Sequence, residues 1–440
     1  MTSTDALPVA GAAPAELRHK TSREQPVLGP WLRAQALNAS RHAAALRDFI
    51  PGEFGDGPES PSEGHIASVN AIIRELRKRL LGRTRELDRL VRTATEHPNA
   101  ENLRRVVKNK HVTLAQVREI ERIWDFYLEL FGQRQSRFGA WLLGCDRIAQ
   151  DCYQVAYTGI GVAKSIPAPA PFNYMRTGFG PATFRRAVRL PQLSRQLNPF
   201  PLIQLPYHRL VNPWTLGAIL HEVSHNLHSD LGLSRAVPLA IGRALVRAGL
   251  GIDVAKIWMR WNRETFADLS AVLLGGPAVV ASLMDVVGID PKVVSHYNED
   301  GVHPIPYLRV PLSAEVLRRI GFEQEAERYL RAWRALYPRP SGDLPERLLT
   351  SAPKAMATVV ETVCFRPFKE LGDKSLSQVF RFAQKEQRIT EETARRLAQG
   401  NDPGIVPERF LIGAARFAID NRLAPAARIR ENFYRDLEKR

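Results

Sequence analysis

The sequence predicts a mainly α-helical protein with a small β-sheet, on three observations. Apolar residues recur at helical spacing on both sides of the middle of the chain. Between those regions, from Phe172 to Leu210, lies a stretch broken by Pro and Gly and carrying aromatic and β-branched residues. The composition, 44% hydrophobic and 25% charged over 440 residues, is that of an ordinary globular chain and excludes disorder throughout, collagen and coiled-coil repeats.

Four parts are expected. Residues 1–62 read as a weakly ordered N-terminal segment. It opens Ala-, Pro- and Ser-rich and closes on linker chemistry from Pro51 to Pro58, with a short helix around Leu32 to Phe49. Residues 63–165 read as a helical region. One stripe runs through Ile66, Val69, Ile73, Leu76, Leu80, Leu87 and Leu90, another through Val117, Ile120, Ile123, Tyr127 and Phe131. The alternating acids and bases from Arg74 to Arg92 read as an exposed face with pairs one turn apart.

Residues 166–310 form the candidate catalytic core. Its first residues, Ile166 to Pro171, hold three prolines that cannot continue a helix. Phe200 to Leu210 reads as a strand that its prolines confine to a sheet edge. Asn212 and Pro213 then predict a helix start. Residues 311–440 are helical again, with loops at Tyr337 to Pro345 and Gly400 to Pro407. The lone Gly159-Ile160-Gly161 follows a helical pattern, not a strand, so a nucleotide-binding loop is rejected.

The net charge of +16 is spread evenly, with no basic tail. That argues against a dedicated nucleic-acid reader and leaves only a general attraction for anionic partners. The three cysteines are too few for a disulfide scaffold and badly spaced for a thiolate zinc site. Cys145 and Cys152, on one helix face, read as core thiols. Met1 to Lys20 has no apolar run of the kind that directs general secretion. A cytoplasmic protein is expected, or one exported by a non-Sec secretion or injection system. The longest apolar stretch, Leu269 to Met284, is too short for a bilayer and is broken by Gly275-Gly276-Pro277. It reads as a buried helix pair, so no transmembrane segment is expected.

Chemistry concentrates in His221-Glu222-Val223-Ser224-His225. Two His at i and i+4 stand one above the other on a helix, so both imidazoles can reach one ion. Glu222 sits about 100° round the helix, beside the ion, where it can act on a water without taking its place. A chain with 11 His carries this motif by chance about 0.01–0.02 times. A zinc hydrolase needs a third protein ligand and an open position. The metzincin spacing fails, since His228 and Leu231 occupy the positions where it needs Gly and His. Downstream, Glu264 and Asp268 are again i and i+4 on an otherwise apolar helix, with Ala271 and Gly275 continuing the stripe. Two acids bound for a core need a partner, and a cation is the simplest. Small residues on that stripe would let this helix approach the first.

These residues resemble the H-E-x-x-H … E-x-x-x-D arrangement of the gluzincins, the thermolysin-like zinc metallopeptidases. The resemblance covers about Phe200 to Arg309. It implies an α+β zincin core with one zinc ion held by His221, His225 and Glu264. Glu222 would be the general base toward a metal-bound water, and Asp268 would orient a ligating His. The substrate would be a protein or peptide, cut by an endopeptidase rather than an exopeptidase. A peptide would add to the strand near Ile203 to His208, with Ile203, Leu205 and Tyr207 as contacts. His303 and Tyr297 are the expected donors to the substrate carbonyl. Arg309 is expected as a structural or substrate-carboxylate contact, because His303-Pro304 followed by Arg309 is similar to a segment of several zincins. His228 is a lesser candidate, either lining the cleft or on the surface. Two other readings stand beside this one. One is a catalytically inactive zincin-fold scaffold or binding module. The other is a basic nucleic-acid or membrane-surface binding protein.

Overall fold

The computed structural model describes residues 25–161, 164–178, 180–340 and 344–440. The chain divides into two compact units. The first holds the described residues up to Asp48 together with Asn70–Asp125. It contains helix α1 (Gln25–Ala45) and most of the long helices α2 (Glu63–Glu96) and α3 (Ala100–Gly132). Leu32, Ala36 and Ala39 bury against Leu87, Val91, Ala94 and Val106. The stretch read as weakly ordered thus holds a packed helix, while its residues 1–24 lie outside the described residues. The predicted pairs on α2 are present and exposed, among them Arg79–Glu75 at 2.9 Å and Arg89–Glu86 at 2.6 Å.

The second unit comprises Phe49–Val69 and Phe126–Arg440. Here Phe54, within the predicted linker, packs edge-on against Phe131. The buried helix α4 (Gly139–Ile160) leads to three short strands, β1 (Phe172–Met175), β2 (Ala182–Phe184) and β3 (Leu202–Leu205). Their order is β1-β3-β2. β3 runs parallel to β1 and antiparallel to β2, with Ile203 opposite both Asn173 and Thr183.

The expected edge position of β3 is therefore corrected: it is the central strand. Its prolines bracket the paired residues rather than interrupting them. Pro201 and Pro206 flank the four residues of the strand, so no ladder N–H is lost. The Pro201 carbonyl even extends the pairing, accepting from the Phe172 N–H at 2.9 Å. After Pro206 the chain enters α5 (Tyr207–Val211), so the strand ends before His208.

α6 (Gly217–Asp230) carries the His motif; it starts after a 3₁₀ turn at Pro213–Thr215, four residues later than Asn212-Pro213 predicts. Next come α7 (Leu233–Arg247), α8 (Ile252–Arg260), α9 (Asn262–Gly275), α10 (Pro277–Val287), α11 (Pro291–Val294) and α12 (Pro306–Arg319). The pair α9–α10 is the apolar stretch of the sequence, and it is buried. The rest of the unit is α13 (Glu323–Leu336), α14 (Glu346–Val360), a hairpin of β4 (Pro367–Phe368) and β5 (Lys374–Ser375), and α15 (Leu376–Val379), α16 (Gln384–Gln399), α17 (Phe410–Asp420) and α18 (Ala426–Glu438). The protein is mainly α with a small sheet, as predicted.

Small residues set how closely the central helices meet. A Cβ on Gly275 of α9 would lie 2.6 Å from the Leu220 side chain, and one on Gly217 would lie 2.6 Å from Ser282 Oγ of α10. α6 is thus wedged between α9 and α10, with β2 packed along it as well. No described helix is long and apolar enough to cross a membrane.

Candidate metal centre

The contact of α6 and α9 brings His221, His225 and Glu264 together. The two Nε2 atoms of the histidines are 3.1 Å apart. Glu264 Oε2 lies 3.4 Å from His221 Nε2, and Oε1 lies 3.3 Å from His225 Nε2. Three donors at ~2.0–2.1 Å from one ion in tetrahedral array are about 3.3–3.4 Å from each other. Here each histidine faces a different oxygen of Glu264, and one donor atom from each of the three residues lies within 4.8 Å of the others, a two-nitrogen, one-oxygen set that could close on one ion.

Asp268, one turn after Glu264, is buried and does two things. Its Oδ1 accepts the Nδ1–H of His221 at 2.9 Å, so that once the ring gives up its second proton the Nε2 lone pair faces the other two donors. Both of its oxygens also accept from Arg309 of α12, Nε and one terminal nitrogen each at 2.8 Å. Arg309 is thus held inside the protein by a carboxylate, and it also lines the cavity, with a terminal nitrogen 3.8 Å from Glu264 Oε2. Burial by itself would raise the Asp268 pKa, but Arg309, then His221, lowers it.

The other groups respond to the same crowding. Burial works against the charged form of His221, but Asp268 and Glu264 outweigh it and lift the pKa to about 10. His225, desolvated and beside that cation, drops to about 3. Burial would raise Glu264, yet His221, His225 and Arg309 hold it below the ordinary carboxylate range. Glu222 is raised to about 7, chiefly by burial. It is 5% exposed and lines the cavity without belonging to the donor triad.

A cavity of about 790 Å³ opens over these residues. Along one side runs β2, at the edge of the sheet, through Ala182 and Thr183. The strand is tied to the motif helix where Asn226 Nδ2 donates to Thr183 Oγ1 at 2.9 Å. At the rim stands His303, Nε2 3.5 Å from Glu264 Oε1 and its side chain 67% exposed. Its loop is pinned by Arg260 Nε and Trp261 Nε1, which both donate to the Gly301 carbonyl at 3.2 Å.

Four expected residues are not at this site. Ile203 and Leu205 are fully buried core residues of the central strand. Tyr207 lies on α5, edge-on against Phe138, and does not line the cavity. Tyr297 packs against Trp261 and does not line it either. The strand that borders the cavity is β2. Three residues with apolar-polar alternation too short to register, Ala182-Thr183-Phe184, gave it no signal. His228 is inside: it is 1% exposed, lines the cavity and packs at a tilt against Phe266, with 4.5 Å between ring centres. Arg185 and Arg263 also line the cavity, and nothing in their sequence context singled them out.

No protein-family model, curated protein or solved structure matches the chain.

Proposed function

We propose that the chain is a zinc-dependent peptidase whose active centre is the cavity over α6 and α9. The observation that carries this reading is the convergence of His221, His225 and Glu264 at spacings of 3.1–3.4 Å. The Asp268 contact to His221 and the neighbouring Glu222 add to it.

A bound ion would supply Lewis acidity toward the scissile carbonyl and toward the attacking water. The chain's own residues do the rest. Glu222, already drawn toward neutral pH by burial, takes the proton of the water and hands it to the leaving amine. His303, at the rim and beside Glu264, is placed to donate to the carbonyl oxygen as charge develops there. Among the described residues no further strand covers the outer edge of β2, so an extended peptide can add there. Along α6 the lining runs from Gly217 to His228, about 16 Å at 1.5 Å per residue. That length accommodates about five extended residues on the two sides of a scissile bond and favours an endopeptidase.

The test is metal analysis and peptide-library cleavage with the native chain and with Glu222→Gln. Expected are one zinc per chain in both proteins, and cleavage that a chelator abolishes. Glu222→Gln should fall by about 10²–10⁴-fold in kcat. Full cleavage by Glu222→Gln, or a native chain that holds no zinc, would overturn the reading.

A further inference from the structure

The cavity has two chemically different ends, with the triad between them. Toward the N-terminus of α6 its walls are small and apolar: Ala218, Val279, Leu283 and Val286. Toward the C-terminus they are basic. Arg185 follows directly on β2, Arg263 precedes Glu264 on α9, and His228 lies one turn beyond His225. Among the described residues, neither Arg185 nor Arg263 has a carboxylate within salt-bridge distance or any side-chain hydrogen bond. The counter-charge that Arg185 feels is that of Asp230, whose carboxylate already accepts the Tyr153 hydroxyl at 2.7 Å. His228 is enclosed, and yet its Nε2 has no hydrogen-bond partner. Arg185, half-buried, feels the charge of Arg263, whose side chain reaches solvent, and a buried unpartnered ring nitrogen costs free energy. An anion between them removes both penalties.

Resting on the peptidase reading, we propose that Arg185, Arg263 and His228 form a specificity subsite for an acidic side chain of the substrate. Burial, then Arg263 and Arg185, lowers the His228 pKa to about 3. Its ring is therefore neutral and offers an N–H without adding a third repelling charge. The direction of the strand gives the position. β2 runs toward Arg185, so a peptide paired antiparallel to it brings to Arg185 the residues on the N-terminal side of the scissile bond. The enzyme would cut after an acidic residue or shortly downstream of one.

Three fluorescein-labelled peptides test this, (Glu-Ala-Val)₃, (Gln-Ala-Val)₃ and (Lys-Ala-Val)₃, whose repeats present the variable residue in every register. Binding to zinc-treated Glu222→Gln protein is read by anisotropy, so no turnover is required. The Glu peptide should bind about tenfold tighter than the Gln peptide, with the Lys peptide weakest. Arg185→Gln/Arg263→Gln should erase the Glu-over-Gln preference. Arg85→Gln/Arg122→Gln, which removes the same charge from exposed positions far along the sequence, should keep it. Equal binding of the Glu and Gln peptides, or a preference that survives in Arg185→Gln/Arg263→Gln of native circular dichroism, overturns the subsite. Selective binding, with no cleavage of any library peptide by the native zinc-loaded chain, supports the subsite and overturns the peptidase reading alone.

Discussion

The protein buries two Asp–Arg pairs that look alike and serve different ends. Asp268–Arg309 joins α9 to α12 through two bonds of 2.8 Å. Asp151–Arg409 joins α4 to the start of α17 at 2.7 and 2.9 Å, and Arg409 Nε also donates to the Leu274 carbonyl at the end of α9. Both aspartates are buried. Only Asp268 has a histidine on a remaining lone pair, and only Asp268 and Arg309 line the cavity. Burial of a charge pair is therefore not what marks a site. A pair fixes architecture when its bonds close on each other and on backbone. It becomes part of a chemical centre when one member also aims a group that has a free lone pair.

Removing half of each pair separates these roles. Asp151→Ala leaves Arg409 buried without its counter-charge and should cost about 3–5 kcal/mol in denaturant unfolding. Zinc content per folded chain should not change; a fall in it would mean that the two pairs are not distinct. The apolar replacement Asp151→Leu/Arg409→Met should recover most of the loss.

His228 gives a second contrast, that of a cavity group kept neutral by its surroundings. Its folded pKa of about 3 lies below the ordinary 6.5, so on acidification the unfolded chain takes up the proton first. Stability should fall as pH drops below 6.5, by up to about 1.4 kcal/mol per pH unit, and this loss should stop near pH 3. His228→Phe should have a shallower slope by that amount between pH 6.5 and 4.5. Parallel slopes for the two proteins would show that the ring is not held neutral.

Asp268→Asn keeps the shape of the carboxylate but weakens its hold on His221. Zinc affinity should fall about 10–100-fold in a competition titration. Unchanged affinity would place Asp268 with Asp151, as architecture alone. The smallest effect is expected on α2, where Arg89→Gln breaks an ion pair that is open to solvent. Its denaturation midpoint should coincide with that of the native chain. A clear shift would mean that exposure fails to separate surface pairs from the two buried ones.

The sequence made the centre legible because its donors obey helical spacing. His221 and His225, and again Glu264 and Asp268, are one turn apart, and a four-residue period is visible without a structure. Ala271 and Gly275 also announced a close helix contact, and Gly275 does meet Leu220. The sheet was misread because proline reports only that a position lacks an N–H. Whether that position is inside the ladder or just outside it depends on register, and Pro201 and Pro206 fall just outside. Arg185 and Arg263 were invisible for another reason. In a chain with 62 Lys and Arg, a cationic residue carries no signal until the fold shows which ones lack a partner. Asp151 and Arg409 are far apart along the chain, and Tyr297 has the chemistry of a donor while its packing on Trp261 depends on the fold.

The tight seats of Gly217 and Gly275 have a mechanical consequence. A methyl group on Gly217 would collide with Ser282 of α10, and one on Gly275 of α9 would collide with Leu220 of α6. Enlarging either residue would push the imidazole-bearing helix sideways, and coordination bonds tolerate only tenths of an ångström. The spacing of the three candidate donors thus depends on two hydrogen atoms that belong to none of them.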